Sequence, residues 1–337
     1  MILGRTGLEV TRTSFGVLPL QRVDLDTAEK ILKRAYEAGI AYYDTARAYS
    51  DSEEKIGRAL STVRKDIVIS TKTNATNRKD LFSQLETSLK MLKTDYIDIY
   101  QLHNPSSVPL EGSEVYEALL KAKAQGKIRF IGITNHNADL GREAILSSLY
   151  DTLQFPFCTL SDDRDLELIS LASENSIGLI AMKALSGGLI KNARAAFAYL
   201  RQFENLVPIW GVQRMSELEE FIELDKEEPV LDEYLKEVIE KDREELKGDF
   251  CRACGYCMPC TIGIEIPMAA RMKLLLRRMP FKGFMSDEWY ERMRLIEKCT
   301  NCGKCKSKCP YNLDTPELLR RNLEDYLEFY EMERKKK

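Results

Sequence analysis

The chain has 337 residues, of which 31% are charged and 44% are hydrophobic, and its formal net charge is −3 at pH 7. No apolar run approaches the length that spans a bilayer, which argues against an integral membrane protein and against a membrane partner. The length suggests one large domain followed by a small one.

Short apolar runs alternate with amphipathic stretches between residues 13 and 220. Strands rich in Val and Ile that alternate with helices indicate parallel βαβ units, and eight such units favour a (β/α)8 barrel over an open doubly wound sheet. No G-x-G-x-x-G follows the first run, which argues against a dinucleotide-binding sheet. The segment LGRTGLEVT before the first run predicts a hairpin that covers the bottom of the barrel. The eight predicted strands are SFGVLPL, AYYDTA, IVISTK, IDIYQLH, IRFIGITN, TLQFP, GLIAMKA and LVPIWGV, and predicted helices lie at 27–39, 80–93, 113–126 and 165–178.

Four residues with acid–base chemistry stand at the ends of successive predicted strands. Asp44 ends the second strand and Tyr49 follows it, Lys72 ends the third, and His103 ends the fourth. Barrel enzymes place their chemistry at the carboxyl ends of the strands, so these side chains are expected to converge at the barrel mouth.

The stretches that carry these residues resemble the aldo-keto reductases over roughly residues 1–225. The matching segments are LGRTGLEVTRTSFG, YYDTARAYSDSEEKIGRAL, ISTK, DYIDIYQLH and IRFIGITN. The resemblance implies carbonyl reduction with NADPH, in which Tyr49 is the general acid and Lys72 lowers the pKa of its phenol. It further implies that Asp44 pairs with Lys72 and that His103 orients the substrate carbonyl.

The same resemblance implies a set of nucleotide contacts. Thr134, Asn135 and Gln154 would hold the nicotinamide amide. Met182 stands where the family usually has an aromatic residue, and its thioether can cover the face of the ring.

The phosphate contacts are less complete. The Gly187–Gly188 pair would let the backbone approach the pyrophosphate, and Arg214 is the candidate for clamping a 2′-phosphate. The lysine–serine pair that the family usually carries there is missing. The cofactor expected is therefore NADP(H), with NAD possible.

Beyond the barrel, residues 226–249 predict a charged linker helix and residues 250–337 predict a small, all-α, ferredoxin-like domain. Eight of the nine cysteines lie in this domain, in two runs. The second run reads C-x2-C-x2-C-x3-C followed by Pro310, which is the ligand spacing of two-cluster bacterial ferredoxins. If the fourth ligands are exchanged, one [4Fe–4S] cluster takes the first three cysteines of one run and the last cysteine of the other. The eight are Cys251, Cys254, Cys257, Cys260, Cys299, Cys302, Cys305 and Cys309.

Disulfides and zinc are the competing interpretations of these cysteines. Residues 1–40 show no signal peptide, so reduced thiols and a cytoplasmic location are expected. Three consecutive x2 gaps supply more sulfur than one tetrahedral zinc ion uses, although zinc remains the alternative. Residues 251–337 hold 18 Lys and Arg against 12 Asp and Glu. This excess would offset the negative charge of thiolate-ligated clusters, so no nucleic-acid partner is expected.

Three functions remain open at this stage. In the first, the barrel reduces a small carbonyl substrate, or oxidises an alcohol, and the clusters are structural. In the second, the clusters relay single electrons between a redox protein partner and the barrel. In the third, the barrel is inactive and the protein serves as an electron carrier or scaffold subunit.

Overall fold

The computed structural model describes residues 1–246, 248 and 250–335. Lys247, Asp249, Lys336 and Lys337 lie outside the described residues, so the predicted spans 226–249 and 250–337 each include two residues that are not described. The chain forms two compact units. The first comprises Met1–Ala184 and Asn192–Glu240, and the second comprises Leu185–Lys191 and Lys241–Lys337. Residues 185–191, predicted from the sequence as part of the barrel, group with the second unit.

The first unit is a closed barrel of parallel strands in sequential order, each paired with its neighbours along the chain and the last with the first. This confirms the predicted (β/α)8 class. Within the described residues the strands are β1 (Ser14–Gly16), β2 (Tyr42–Asp44), β3 (Val68–Thr73), β4 (Ile97–His103), β5 (Ile128–Thr134), β6 (Thr152–Pro156), β7 (Gly178–Met182) and β8 (Leu206–Gly211).

Helices follow the strands, and polar side chains at their first turns set where several of them begin. Asp24, Asn77 and Asn192 each accept a hydrogen bond from a backbone N–H three residues further on, which satisfies donors that a helix start leaves unpaired. The helices are α1 (Leu25–Glu37), α2 (Ser52–Leu60), α3 (Arg78–Leu92), α4 (Glu114–Ala124), α5 (Ala138–Leu146), α6 (Asp163–Glu174), α7 (Ala193–Leu200) and α8 (Met215–Glu227).

The N-terminal segment closes the end of the barrel where the strands begin. Leu3, Leu8 and Val10 pack in one buried cluster with side chains of the strands, among them Val68 and Ile99. The predicted hairpin is reduced to a single antiparallel bridge, between Ile2 and Glu9, around a short 3-10 helix. Because this end is covered, a site has to form at the opposite end, where the strands finish.

Within its described residues the second unit contains helices joined by irregular connections, and no β-strand. Helix α9 (Glu233–Glu245) runs from the first unit into the second, and the unit also contains α10 (Ile266–Ala269), α11 (Met272–Arg278), α12 (Asp287–Arg294), α13 (Lys304–Ser307) and α14 (Thr315–Arg334). Buried side chains such as Met272, Leu319 and Tyr326 form its core. Arg278 attaches segment 185–191 to this unit by donating to the carbonyl oxygen of Leu189 at 2.7 Å.

Among the described residues, no helix combines the length and the apolar character needed to cross a membrane.

Candidate functional site

A buried ion pair lies where β2 and β3 end. Lys72 donates from Nζ to Oδ2 of Asp44 at 2.6 Å and to the carbonyl oxygen of Thr45 at 2.6 Å. Lys72 is 1% exposed and Asp44 is 3% exposed. A buried lysine is costly unless a carboxylate and further acceptors compensate it, and here both are present.

The Asp44 carboxylate accepts from three further side chains. Ser70 donates to Oδ1 at 2.6 Å, Gln101 donates to Oδ1 at 3.2 Å, and Gln154 donates to Oδ2 at 3.2 Å. Gln101 also donates to Oε1 of Gln154 at 3.0 Å. The side chain of Gln154, which the resemblance assigned to the nicotinamide, is thus engaged with Asp44.

Sequence reasoning missed Ser70 and Gln101, although a signal was present. Each lies two positions before a predicted catalytic residue, Lys72 and His103 respectively. Side chains two apart on a strand share one face. Polar residues at those positions inside a barrel core therefore indicate partners for the site.

Tyr49 and His103 complete the group. The two rings meet edge to face with centroids 5.7 Å apart, and Nζ of Lys72 lies 5.3 Å from the centre of the Tyr49 ring. A turn after β2 positions the tyrosine, since its backbone N–H donates to the carbonyl of Ala46. The structure thus brings together all four residues of the predicted tetrad.

Burial dominates the electrostatics of the tetrad. It lowers the pKa of Lys72, while the negative charge of Asp44 acts in the opposite direction. Burial, followed by the positive charge of Lys72, lowers the pKa of His103 to about 3. The imidazole is therefore neutral at neutral pH and offers one donor and one acceptor nitrogen.

The predicted nicotinamide contacts at the end of β5 are buried and hydrogen-bonded. Oγ1 of Thr134 accepts from the backbone N–H of Asn104 at 3.0 Å. Asn135 donates from Nδ2 to the carbonyl of Pro105 at 3.1 Å and accepts at Oδ1 from the N–H of Asn137 at 2.8 Å. Thr134 pairs across the sheet with His103 and with Gln154, so the polar strand ends are neighbours.

The remaining predicted cofactor residues follow β7 and β8 along the chain. Met182, at the end of β7, is partly buried against the barrel core. Gly187 and Gly188, with φ of +66° and +89°, belong to the second unit. Arg214 precedes α8 on the barrel surface, where Nη2 donates to Oε1 of Glu217 at 2.6 Å.

One cavity in the second unit is lined by cysteines from both runs. Buried apolar side chains, among them Ile266 and Leu313, form part of its wall. Burial, together with the neighbouring Cys251 and Cys254, raises the pKa of Cys257 to about 12. Thiolates there need a bound cation to be stable. The cysteines that line the cavity are Cys251, Cys254, Cys257 and Cys309.

Of the remaining four cysteines, Cys260, Cys299 and Cys305 are half-buried, as are the four that line the cavity. Cys302 is exposed, and its pKa is lowered by hydrogen bonds from the backbone N–H of Lys304 and then from Thr261 and Thr300. Burial raises the pKa of Cys305, and the negative charges of Cys299 and Cys302 add to this rise. In the described part of the chain, no group of three or more Cys, His, Asp or Glu is arranged to hold a single metal ion.

Two family models match this chain. Residues 11–206 match the model described as "Aldo/keto reductase family". The chain belongs to the aldo/keto reductase family. The resemblance inferred from the motifs is thereby confirmed. Residues 250–314 match a "4Fe-4S dicluster domain", which confirms the predicted type of the second domain.

Relatives from several organisms align with the aldo/keto reductase part. The uncharacterized oxidoreductase YqkF of Bacillus subtilis is 32% identical over 204 residues, which are 56% of this chain and 65% of that protein. The NADH-specific methylglyoxal reductase of Escherichia coli is 30% identical over 220 residues, 56% of this chain and 68% of that protein. The aligned part therefore spans less than two thirds of the length of YqkF.

Solved structures give the same fold. A Pseudomonas aeruginosa protein assigned to the aldo-keto reductases is 27% identical with a TM-score of 0.60, and the match covers 67% of this chain and 94% of that one. The holo form of aldo-keto reductase AKR11C1 from Bacillus halodurans has a TM-score of 0.65 at 22% identity, with 72% and 95% covered, which supports the fold alone.

Proposed function

We propose that the barrel reduces the carbonyl group of a small substrate with a nicotinamide cofactor, or oxidises the corresponding alcohol in the reverse direction. The observation that carries this proposal is the convergence of Tyr49 and His103 on the buried Lys72–Asp44 pair. Family membership supports it. The cofactor would supply a hydride to the carbonyl carbon, and this chemistry leaves negative charge on the oxygen.

The tetrad is suited to stabilising that charge. The Tyr49 hydroxyl donates a proton to the developing alkoxide, as a general acid aimed at the oxygen. Lys72 acts through Tyr49, because a cation beside the ring favours loss of the phenolic proton. Asp44 holds Lys72 in place, and the neutral imidazole of His103 donates a hydrogen bond that orients the carbonyl.

The nucleotide would lie near Thr134, Asn135 and Gln154, with Met182 against the ring. The structure supports part of this set, since these polar groups are neighbours at the strand ends.

NADP(H) is the cofactor expected from the family, with NAD(H) as the alternative. One observation favours NAD(H): the guanidinium of Arg214 is paired with the carboxylate of Glu217, which would compete with a 2′-phosphate. A carboxylate is also the group that hydrogen-bonds a free ribose 2′-hydroxyl in other dinucleotide sites. Comparing the KM values for NADPH and NADH decides the matter, and Glu217→Gln should shift preference toward NADPH if the carboxylate discriminates.

We further propose that the cysteines bind two [4Fe–4S] clusters with exchanged fourth ligands. The first cysteine set is Cys251, Cys254, Cys257 and Cys309, and the second cysteine set is Cys260, Cys299, Cys302 and Cys305. The shared cavity supports the first set. The influence of Thr261, the residue after Cys260, in lowering the pKa of Cys302 supports the second. Reduced thiols and such clusters suit the cytoplasm.

The test of the barrel proposal uses Tyr49→Phe on protein purified without oxygen. General acid catalysis contributes about 10²–10⁴-fold to a rate, so kcat for reduction of methylglyoxal, the substrate named for one relative, should fall by about that factor. Nucleotide binding and iron content should remain. Tyr36→Phe, on α1, is the matched control. If wild-type protein bound neither NADH nor NADPH, the proposal would be wrong.

A further inference from the structure

We propose that the second cysteine set is the electron entry point of the protein, where a small, acidic, one-electron carrier protein docks. This inference rests on the proposed function only in requiring that the set holds an iron–sulfur cluster. It adds to the cluster proposal a docking surface, around the second cysteine set, and the type of protein that binds there. The partner chemistry envisaged is an iron–sulfur or flavin carrier with a strongly negative surface.

The two sets differ in exposure. Cys302 is exposed, and so are its neighbours Thr300, Asn301 and Lys304. The first set instead lines a cavity that includes buried apolar side chains such as Ile266 and Leu313. Electron transfer between proteins requires their redox centres to come close, so an external protein can approach most closely at the exposed Cys302 of the second set.

The two segments that carry the cysteines also differ in charge. Residues 294–314, which hold three cysteines of the second set and Cys309 of the first, contain five basic and two acidic side chains, whereas residues 251–265, which hold the other four cysteines, contain one of each. Both acidic side chains are already paired, Glu297 with Arg294 and Asp314 with Lys306. The surface around the second set therefore keeps an excess of positive charge.

Lys304 and Lys308 carry much of this excess. Both side chains are exposed, and within the described residues no ion pair joins either of them to a carboxylate. Exposed charges of one sign around a site accelerate the encounter with a partner of opposite sign, by about 10- to 10³-fold at low ionic strength. They also orient the partner as it docks.

The electron count is consistent with such a partner. Each encounter moves one electron from the reduced carrier to the iron–sulfur group of the second set. The carrier leaves oxidised by one electron, and no covalent bond or proton is transferred. Two clusters, one held by each cysteine set, would together accept two electrons, the number that a hydride carries.

The experiment measures how fast a reduced, acidic [2Fe–2S] ferredoxin reduces the oxidised holoprotein, by stopped-flow absorbance under anaerobic conditions. We compare wild type, Lys304→Gln/Lys308→Gln, and the control Lys79→Gln/Lys90→Gln, which removes two exposed charges from α3 of the barrel. At low salt the first variant should react about three- to tenfold more slowly than wild type, and its rate should depend less on salt. The control should match wild type.

Two further measurements separate the possible failures. Photoreduction with deazaflavin and iron analysis show whether clusters are present; their absence would overturn the cluster proposal and, with it, the electron entry point, whereas loaded clusters with unchanged rates would overturn the docking surface alone. Basic cytochrome c, used as acceptor from the reduced protein, should react faster with Lys304→Gln/Lys308→Gln than with wild type. Equal rates for all three proteins at every salt concentration would overturn the inference. The inference would also be overturned if the wild type bound DNA in a salt-dependent way and Lys304→Gln/Lys308→Gln lost this binding while its reaction rate with ferredoxin stayed unchanged.

Discussion

In the barrel, the reactive side chains project from strands or directly follow them, whereas the cysteines of the second unit lie largely on connections between short helices. The Asp44 carboxylate, at the end of β2, accepts hydrogen bonds from four side chains on β3, β4 and β6. Around the cysteines the backbone instead takes left-handed conformations, at Ala253, Gly255, Asn301 and Gly303. Backbone hydrogen bonds fix the first arrangement, while the second depends on what the sulfur atoms bind. The barrel site should therefore be independent of metal.

The largest expected effect is on the second unit when iron is removed. Anaerobic chelation should unfold much of residues 250–335, because metal binding supplies folding free energy where the core is small. Far-UV circular dichroism should lose helical signal, and limited proteolysis should leave a barrel-sized fragment. Cys158→Ser, which changes the buried cysteine of the barrel, is the control and should keep its full iron content. If the second unit stayed protease-resistant without iron, its fold would not depend on bound metal, and in this respect it would not differ from the barrel.

Within the barrel, the largest effect should follow the loss of the buried cation. Lys72→Met leaves the Asp44 carboxylate without its counter-charge, and removing one partner of a buried ion pair costs about 3–5 kcal/mol. Asp44→Asn should cost less, because burial already lowers the pKa of Lys72 and the lysine can become neutral. Urea unfolding followed by Trp210 fluorescence, in a Trp289→Phe background, reports on the barrel alone. Equal losses of unfolding free energy in Lys72→Met and Asp44→Asn would show that removing the cation is no more costly than removing the carboxylate.

Some features of the barrel and of the second unit could be predicted from the sequence, and others could not. Strand ends and cysteine spacing are local patterns, so the barrel, the positions of Asp44 and Lys72, and the dicluster domain could be inferred from them. The contact between Gln154 and Asp44 could not, because it joins residues 110 positions apart and depends on the width of the barrel. The grouping of segment 185–191 with the second unit was missed for the same reason, since Arg278 lies far along the chain.

A smaller effect concerns pH and His103. Its pKa in the folded protein is lowered to about 3 by burial, from about 6.5 when unfolded. The unfolded chain therefore binds the proton more readily, and the stability contribution is complete above pH 6.5 and is lost as pH falls toward 3. Urea unfolding should show that the free energy of unfolding of wild type falls more steeply than that of His103→Gln as the pH falls through this range. His136→Gln, which changes the only other histidine, should retain this pH dependence.

The smallest effect tests whether the hydrogen bonds around Asp44 help to position the Asp44–Lys72 pair, in addition to the pairing of the strands. Gln101→Leu removes the amide that joins Asp44 to Gln154 and should cost about 1–2 kcal/mol, as expected for the loss of a buried hydrogen bond to a charged group. If the amide also fixes the Asp44–Lys72 pair, kcat should fall about tenfold while KM stays constant. Gln202→Leu, at a surface position where the amide donates to Tyr199, is the control. A loss of stability with unchanged kcat would mean that the pairing of β2 with β3 alone places Lys72 beside Tyr49.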